Sequence, residues 1–244
     1  MLVARENLMF ANHAEAAEKL IEILPVNDFK KDDYIIICSS LASVPLVDII
    51  ARNLKIGYEL FFCEQIFAPN NQECTIACVS ETQEIVIIEE LVKSFGINLD
   101  YIYGQSNRKY EEKILKSVYK YRKGELLQDF ENRNVILIDE GCESGLTALS
   151  CIKSLTNLNA KTIIYATPLI PSSVAKNLGV LVDEIFTVHN IVDFVDVDFY
   201  YKEKTHTSPE MIMQILEESP YYLPLQKAEK TEKSEGEKTN AVLS

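Results

Sequence analysis

Short blocks of apolar residues alternate along the chain with segments that carry apolar residues at helical spacing. Continuous Val, Ile and Leu runs bounded by turn residues are typical of strands buried on both faces, as in a parallel sheet. These runs predict strands over 34–38, 58–62, 135–138, 162–166 and 185–188. Helical spacing predicts helices over 12–24, 44–54, 146–156 and 172–178, and over most of 90–121. The alternation predicts an α/β fold with a parallel sheet and right-handed crossovers.

Turn and capping residues refine this pattern. A turn at 68–71 precedes two short segments, 74–79 and 84–88, that predict a hairpin. Ser43 is the expected side-chain cap of the helix over 44–54. The segment 168–171, which begins and ends with proline, is expected to close the strand over 162–166.

The composition changes after Pro224. Residues 226–238 are rich in Lys, Glu, Thr and Ser and contain almost no apolar residues, which is typical of disorder. We therefore divide the chain into one domain over 1–224 and a disordered Lys/Glu-rich tail over 225–244. A solvated tail without function is favoured over a binding motif.

The overall charge and the cysteines limit the classes of partner. With a net charge of −13, the chain is not expected to bind nucleic acid, because such binding comes mainly from neutralised phosphates. This charge does not exclude a small anionic ligand that is held by local hydrogen-bond donors. No apolar run approaches the roughly 20 residues needed to cross a bilayer, and the N-terminus lacks a signal pattern. We expect no membrane partner, a cytoplasmic location and six free, mostly buried thiols.

The candidate chemistry lies in the segment Val135–Thr147, where a buried strand runs into two acids and a loop with two glycines. Acids at the carboxyl end of a parallel strand lie where open α/β sheets bind ligands. Gly141 and Gly145 let the loop turn its N–H groups toward an anion. The helix that begins near Thr147 adds the positive end of its dipole. The pattern therefore suits a sugar phosphate, with acids for ribose hydroxyls or a metal ion.

This segment resembles the phosphoribosyl-pyrophosphate (PRPP) loop of type I phosphoribosyltransferases, in which apolar residues and two acids precede Thr-Gly-x-Thr. Here the loop reads Asp139-Glu140-Gly141-Cys142-Glu143-Ser144-Gly145-Leu146-Thr147. The segments 43–46, 66–71, 76–79, 160–171 and 183–185 follow the order of the family's predicted phosphoribosyltransferase branch. The resemblance covers roughly residues 10 to 215.

The resemblance implies a type I-like parallel sheet flanked by helices, with a small hood, and transfer of a phosphoribosyl group from PRPP to an acceptor. Asp139 and Glu140 would be the catalytic acids and contact the ribose hydroxyls. Backbone N–H groups from Cys142 to Leu146 would surround the 5′-phosphate. The implied ligand-binding residues are Gly141, Cys142, Glu143, Ser144, Gly145, Leu146 and Thr147, with Ala42 and Ser43 as the diphosphate turn.

The resemblance also implies Mg²⁺, expected only when PRPP is bound. The ion would be held mainly through ligand oxygens, with Asp139 and Glu140 as the protein groups within reach. The implied partner is a small phosphorylated ligand, PRPP or a nucleotide. The oligomeric state stays undecided, although dimers are common among relatives.

The chain departs from the family pattern in three places. Glu143 stands where relatives have a small or apolar residue. Leu41 replaces an Arg of the diphosphate turn, and Glu64-Gln65 replaces an Arg-Lys pair. Losing three cations weakens a site for a polyanion. Two functions therefore stay open: a PRPP-dependent transferase, and a catalytically inactive relative that acts as a nucleotide sensor or a regulatory or protein-interaction module.

The segment that follows the last predicted strand carries both aromatic and acidic residues. By resemblance, its aromatic residues help to form the hood over the base; packing of an edge strand or flap is the alternative. The acidic residues are explained by the alternation of side chains along an exposed strand. These residues are Phe194, Phe199, Tyr200, Tyr201, Asp193, Asp196 and Asp198.

Overall fold

The structure, a computed structural model, describes residues 9–127, 130–203 and 207–226. The predicted tail falls outside this part from residue 227 onward. The helices are α1 (His13–Ile23), α2 (Val26–Phe29), α3 (Val44–Leu54), α4 (Glu89–Ser94), α5 (Leu99–Lys109), α6 (Leu115–Arg122), α7 (Leu146–Asn157), α8 (Ser172–Leu178), α9 (Val197–Tyr200) and α10 (Pro209–Glu218), with a π-helical turn over Tyr110–Ile114 between α5 and α6. The strands are β1 (Tyr34–Cys38), β2 (Tyr58–Leu60), β3 (Cys63–Ala68), β4 (Asn71–Ser80), β5 (Ile85–Ile87), β6 (Asn134–Ile138), β7 (Thr162–Pro171) and β8 (Glu184–Ile191).

The predicted parallel sheet is confirmed. Its five strands lie in the order β2-β1-β6-β7-β8, and every neighbouring pair is parallel. The predicted bounds of β1, α3 and α8 agree with the structure. In the ranges that the structure describes, no helix is long and apolar enough to span a membrane.

The central strands are apolar without interruption because helices cover both faces of the sheet. Ile36, Ile136 and Ile164 belong to the apolar cluster on one face. Their neighbours Ile35 and Val135 belong to the cluster on the other. Alternate residues of a strand point to opposite faces, so a strand covered on both sides must be apolar at every position.

Two strands of this sheet are longer than predicted. Strand β7 continues through Pro168 to Pro171, and β8 ends at Ile191 instead of Val188. The pairing of β7 with β6 ends at Ala166, and beyond it β7 pairs only with β8. Proline is tolerated where one side of a strand has no partner, which explains why the prolines do not end β7.

The hood contains a three-stranded antiparallel sheet in the order β3-β4-β5, where the sequence predicted a two-stranded hairpin. The prediction missed β3, because Glu64 and Gln65 interrupt its apolar pattern while only Ile66 and Ala68 are buried. Tyr101 of α5 donates its hydroxyl to the Phe67 carbonyl at 3.0 Å, which joins the helical part of the hood to this sheet.

The acidic segment after β8 is not the extended strand that one reading of the sequence suggested. It forms the short helix α9, whose N-cap Asp196 accepts a hydrogen bond from the Phe199 N–H at 2.7 Å. The carboxylate thus caps a helix start instead of alternating along a strand.

Candidate functional site

Asp139 and Glu140 follow β6 directly and lie at the carboxyl end of the parallel sheet, as predicted. Asp139 is buried, with 6% of its surface exposed. The Ser43 hydroxyl is 3.0 Å from Asp139 Oδ1 and also contacts the Glu140 carboxylate. The Ser40 hydroxyl lies 3.1 Å from Glu140 Oε2. Both acids are therefore fixed by the turn that follows β1, which is the neighbouring strand in the sheet.

Burial and the closeness of the two acids favour the protonated form of one of them. Burial, assisted by the charge of the neighbouring Asp139, raises the pKa of Glu140 to about 8. Burial also raises the pKa of Asp139. Ionising two adjacent buried carboxyl groups together is costly, because each charge disfavours the other. A protonated Glu140 can donate a hydrogen bond while Asp139 accepts one.

Ser43 does not play the part predicted for a helix cap. It occupies the N-cap position of α3, but its side chain makes no capping hydrogen bond. Its hydroxyl oxygen instead accepts from the Glu140 N–H at 3.1 Å while its proton faces the acids. The side chain of this proposed diphosphate-turn residue is thus engaged inside the protein.

The loop from Gly141 to Gly145 connects the acids to α7. Gly145 has a φ of +74°, a conformation that other residues rarely adopt. In the described part of the chain, no hydrogen-bond partner is found for the N–H groups of Glu143 and Ser144. Two loop donors next to a helix N-terminus form an arrangement that suits an anion.

Two loop positions also make contacts inside the protein. The Cys142 N–H donates to the Leu169 carbonyl at 2.9 Å, so it is not available to a phosphate. At Gly141, an added Cβ would lie 2.7 Å from Val197 Cγ2, so the glycine permits close approach of α9. The predicted ring of backbone donors therefore begins at Glu143 instead of Cys142.

The carboxylate of Glu143 is held by the start of α9. Its Oε1 atom accepts a hydrogen bond from the Val197 N–H at 3.1 Å, at the first residue of α9. An acid near a helix N-terminus is stabilised by the helix dipole. Glu143 thus links the loop to the segment that carries Asp196 and Asp198.

A cavity of about 440 Å³ lies between these elements. It brings together all nine loop residues from 139 to 147, with Ala42, Ser40 and Gln65 on one side and the start of α9 on the other. Five carboxyl groups and no Lys or Arg side chain line it among the described residues: Asp139, Glu140, Glu143, Asp196 and Asp198. At about 4 Å, each further like-charge pair costs about 1 to 4 kcal/mol at effective dielectrics of 80 to 20.

A smaller cavity of about 260 Å³ adjoins the first and shares Ser40, Gln65 and Thr147 with it. Its lining also includes Leu41 and Glu64, two of the positions where the family pattern has cations. The structure therefore places the departures from that pattern beside the loop cavity.

Two residues near the acids were not predicted from the sequence. Tyr201 donates its hydroxyl to the Glu140 carbonyl at 2.8 Å, and its ring lies 5.6 Å from that of His13. Burial lowers the pKa of His13, while the charges of Glu140 and Asp198 oppose that change. The aromatic cluster near 199–201 was the signal for Tyr201. A lone histidine at the start of an amphipathic helix gives no such signal.

The fold and the cavity define the class of the protein: an α/β protein with a candidate ligand site at the carboxyl ends of a parallel sheet. The sequence matches no known family model. It is 20% identical over 175 residues to the Mycobacterium tuberculosis protein Rv0571c, whose name assigns it provisionally to the phosphoribosyl transferases. The same holds for its counterpart MT0597 in another strain. The matched region spans 71% of this chain and 39% of those relatives.

The match to the solved structure TT1426 supports the fold. TT1426 from Thermus thermophilus is 20% identical and matches with a TM-score of 0.69, over 87% of this chain and 99% of that one. Purine phosphoribosyltransferase from Pyrococcus horikoshii is 12% identical, with a TM-score of 0.43, over 83% and 97% of the two chains. The predicted resemblance to the phosphoribosyltransferases is confirmed by the curated relatives, and the predicted fold class is confirmed by the parallel sheet and its flanking helices.

Proposed function

We propose that this phosphoribosyltransferase-like protein binds a ribose 5-phosphate group, carried by PRPP or by a nucleotide, in the cavity at the loop 139–147. The observation that carries the proposal is that one cavity joins the Asp139–Glu140 pair with two loop N–H groups for which no partner is found among the described residues. The backbone donors of Glu143 and Ser144, with the Ser144 and Thr147 hydroxyls, would hold the 5′-phosphate. Asp139 and Glu140 would bind the ribose hydroxyls.

In an active enzyme, a nitrogen nucleophile displaces diphosphate from C1 of PRPP. The chain's own residues would mainly position the ribose and exclude water, since charge in such a reaction is stabilised by fixed groups. Mg²⁺ prefers oxygen ligands, and the carboxylates of Asp139 and Glu140 fit it chemically. When bound, it would neutralise charge on the diphosphate. Among the described residues no group of three or more side chains could hold a metal ion, so further ligands would have to come from the substrate.

A second function is supported by the acidic cavity. No cation from the described residues lines it, and Leu41 and Glu64 occupy positions where the family pattern has cations. We propose that these diphosphate-binding positions are degenerate, which would favour a monophosphate ligand and a nucleotide sensor or a regulatory or protein-interaction module without catalysis.

Calorimetric titration of the full chain separates the two functions. The ligands are PRPP with Mg²⁺, ribose 5-phosphate and a nucleoside monophosphate, tested on wild type, Ser144→Asp and Asp139→Asn, with the exposed Asp32→Asn as the control. We expect binding that both site variants weaken by about tenfold or more and the control leaves unchanged. Binding of PRPP supports the transferase, and binding of monophosphates alone supports the sensor. Binding that is indifferent to both site variants would contradict the proposed site.

A further inference from the structure

A second cavity lies in the hood, away from the acids. It has a volume of about 660 Å³ and shares no lining residue with the loop cavity among the residues described. It is lined by the end of β3, the turn after it, α5 and the π-helical turn. Its lining differs in charge from that of the loop cavity, because Arg108, Lys109 and Lys113 all contribute to it.

The three cations face one cavity because of their spacing along the helix, which includes a π-helical turn. In a π-turn, hydrogen bonds join residues five apart, so the turn is wider than in an α-helix. The N–H of Leu115 donates to the Tyr110 carbonyl in this way. Lys113 follows Lys109 by four residues, about one helical turn, so its side chain lies on the side of the helix that presents Arg108 and Lys109. Such turns are frequent at functional sites.

The cations of this cavity are only lightly neutralised. Arg108 pairs with Glu112 at 3.1 Å, but both side chains are more than half exposed. Exposed pairs of this kind contribute between nothing and about 1 kcal/mol, so a ligand can replace Glu112 cheaply. Lys109 pairs with Glu64 at 3.3 Å. Lys113 forms no ion pair among residues 9–127, 130–203 and 207–226.

The rest of the lining suits an aromatic group. Lys109 Nζ lies 5.8 Å from the centre of the Phe67 ring, and Tyr101 contributes a second ring. The Gln105 amide can donate and accept hydrogen bonds. Cations together with aromatic rings and an amide are the groups that bind phosphates and stack on a base.

We propose that this hood cavity is a second binding site, for a ligand that carries phosphate groups. Arg108 and Lys113 bind the phosphates, and Phe67 and Tyr101 contact the base when the ligand is a nucleotide. Free diphosphate and a nucleoside triphosphate offer the same phosphate chemistry, and the titration below distinguishes them.

The test is calorimetric titration of the full chain with inorganic diphosphate and, separately, with ATP. All proteins carry Ser144→Asp, which adds a charge that keeps phosphates out of the loop cavity. The site variant is Arg108→Gln with Lys113→Gln. The control is Lys116→Gln, an exposed lysine on α6 that does not line the cavity. Because all three substituted side chains are exposed, the fold is expected to survive, and thermal melting checks this.

We expect diphosphate to bind, the double variant to lose about tenfold or more in affinity, and the control to change little. Raised salt should weaken binding in the parent and have less effect in the double variant. Binding of ATP without binding of diphosphate also supports the site and identifies a nucleotide as the source. Failure of both anions to bind, or equal affinity in parent and double variant, overturns the proposal.

Discussion

Ser43 shows how one hydroxyl group serves two acids. It has a single proton to donate, yet it lies against both Asp139 and Glu140. A protonated acid satisfies the arrangement, since a neutral Glu140 can donate to the Ser43 oxygen while Ser43 donates to Asp139. The raised pKa of Glu140 and the hydrogen-bond geometry therefore agree.

This proton makes stability depend on pH at one residue. Between the ordinary pKa of a glutamate and about 8, the unfolded chain loses a proton that folded Glu140 keeps, so the free energy of unfolding falls as pH rises. The variant Glu140→Gln has no carboxyl group at this position, so this fall in the free energy of unfolding should disappear. We expect the variant to be more stable than the parent by a few kcal/mol at pH 8, on the order of 1.4 kcal/mol per pKa unit, and by little at pH 4.5.

Urea denaturation at the two pH values measures this difference, with the exposed Glu22→Gln on α1 as the control. A gain of equal size at both pH values would show that Glu140 is charged in the folded protein.

Glu143 provides a second prediction about a single residue. Its carboxylate accepts the Val197 N–H and so attaches α9 to the loop. Glu143→Ala should expose that N–H, and hydrogen exchange at Val197 should become faster, with a loss of about 1 kcal/mol in stability. Glu89→Ala, whose partner is the exposed Lys93, serves as the control and should leave exchange at Val197 unchanged. Unaltered exchange in Glu143→Ala would mean that packing alone holds α9.

At the scale of elements, the sequence predicts best where local pattern and tertiary environment agree. Strand β1 and helices α3 and α8 were predicted to the residue, because their spacing and turn signals are local. Strand β3 was missed, since its polar residues Glu64 and Gln65 face the cavities and one hood helix. The prediction ended β7 before its prolines, because the sequence alone does not show that β7 pairs with β6 only as far as Ala166.

The candidate site was likewise predicted where its residues are contiguous in sequence and missed where they are distant. All of the loop 139–147 lines the cavity as expected, because a strand, an acid pair and a glycine turn are contiguous in sequence. The roles of Ser40, Tyr201 and His13 depend on contacts between distant parts of the chain. The use of the Cys142 N–H by Leu169 likewise required the structure.

Two glycines allow a matched test of the loop and of a helix. At Gly145 the positive φ and a Val174 methyl group 2.5 Å from an added Cβ both oppose a side chain. At Gly104, within α5, no described atom lies within 4 Å of an added Cβ. We expect Gly145→Ala to lower the free energy of unfolding by about 1 to 3 kcal/mol and Gly104→Ala to raise it by about 0.5 to 1 kcal/mol. Chemical denaturation measures both, and a neutral Gly145→Ala would show that the turn can rearrange.

At the scale of the whole molecule, a buried ion pair joins the hood sheet to the helix that leads back to the main sheet. Arg122 and Glu81 are both almost fully buried and in contact, and Arg122 lies over the Phe62 ring at 4.9 Å. Arg122 Nε and Nη1 have no hydrogen-bond partner among the described residues. Burial raises the pKa of Glu81 in spite of Arg122. The pair is therefore expected to add little net stability, because removing both charges from water offsets their attraction.

Removing one partner should cost more than removing both. Glu81→Gln leaves a buried unpaired cation and should lower stability by about 3 to 5 kcal/mol, whereas adding Arg122→Leu should restore much of that loss. A double-mutant cycle by chemical denaturation measures the coupling. Additive effects of the two changes would show that water or other groups already compensate the buried charge of Arg122.

The order of the strands has a consequence for how the chain folds. The central pair of the sheet joins Ile36 to Ile136, one hundred residues apart, and the whole hood lies between them. Closing so long a loop costs entropy before any strand contact repays it, so topologies of this kind fold slowly. A hood that collapses early shortens the effective loop. Changes confined to the hood should therefore alter the rate at which the distant parallel sheet forms, even where they leave its final stability unchanged.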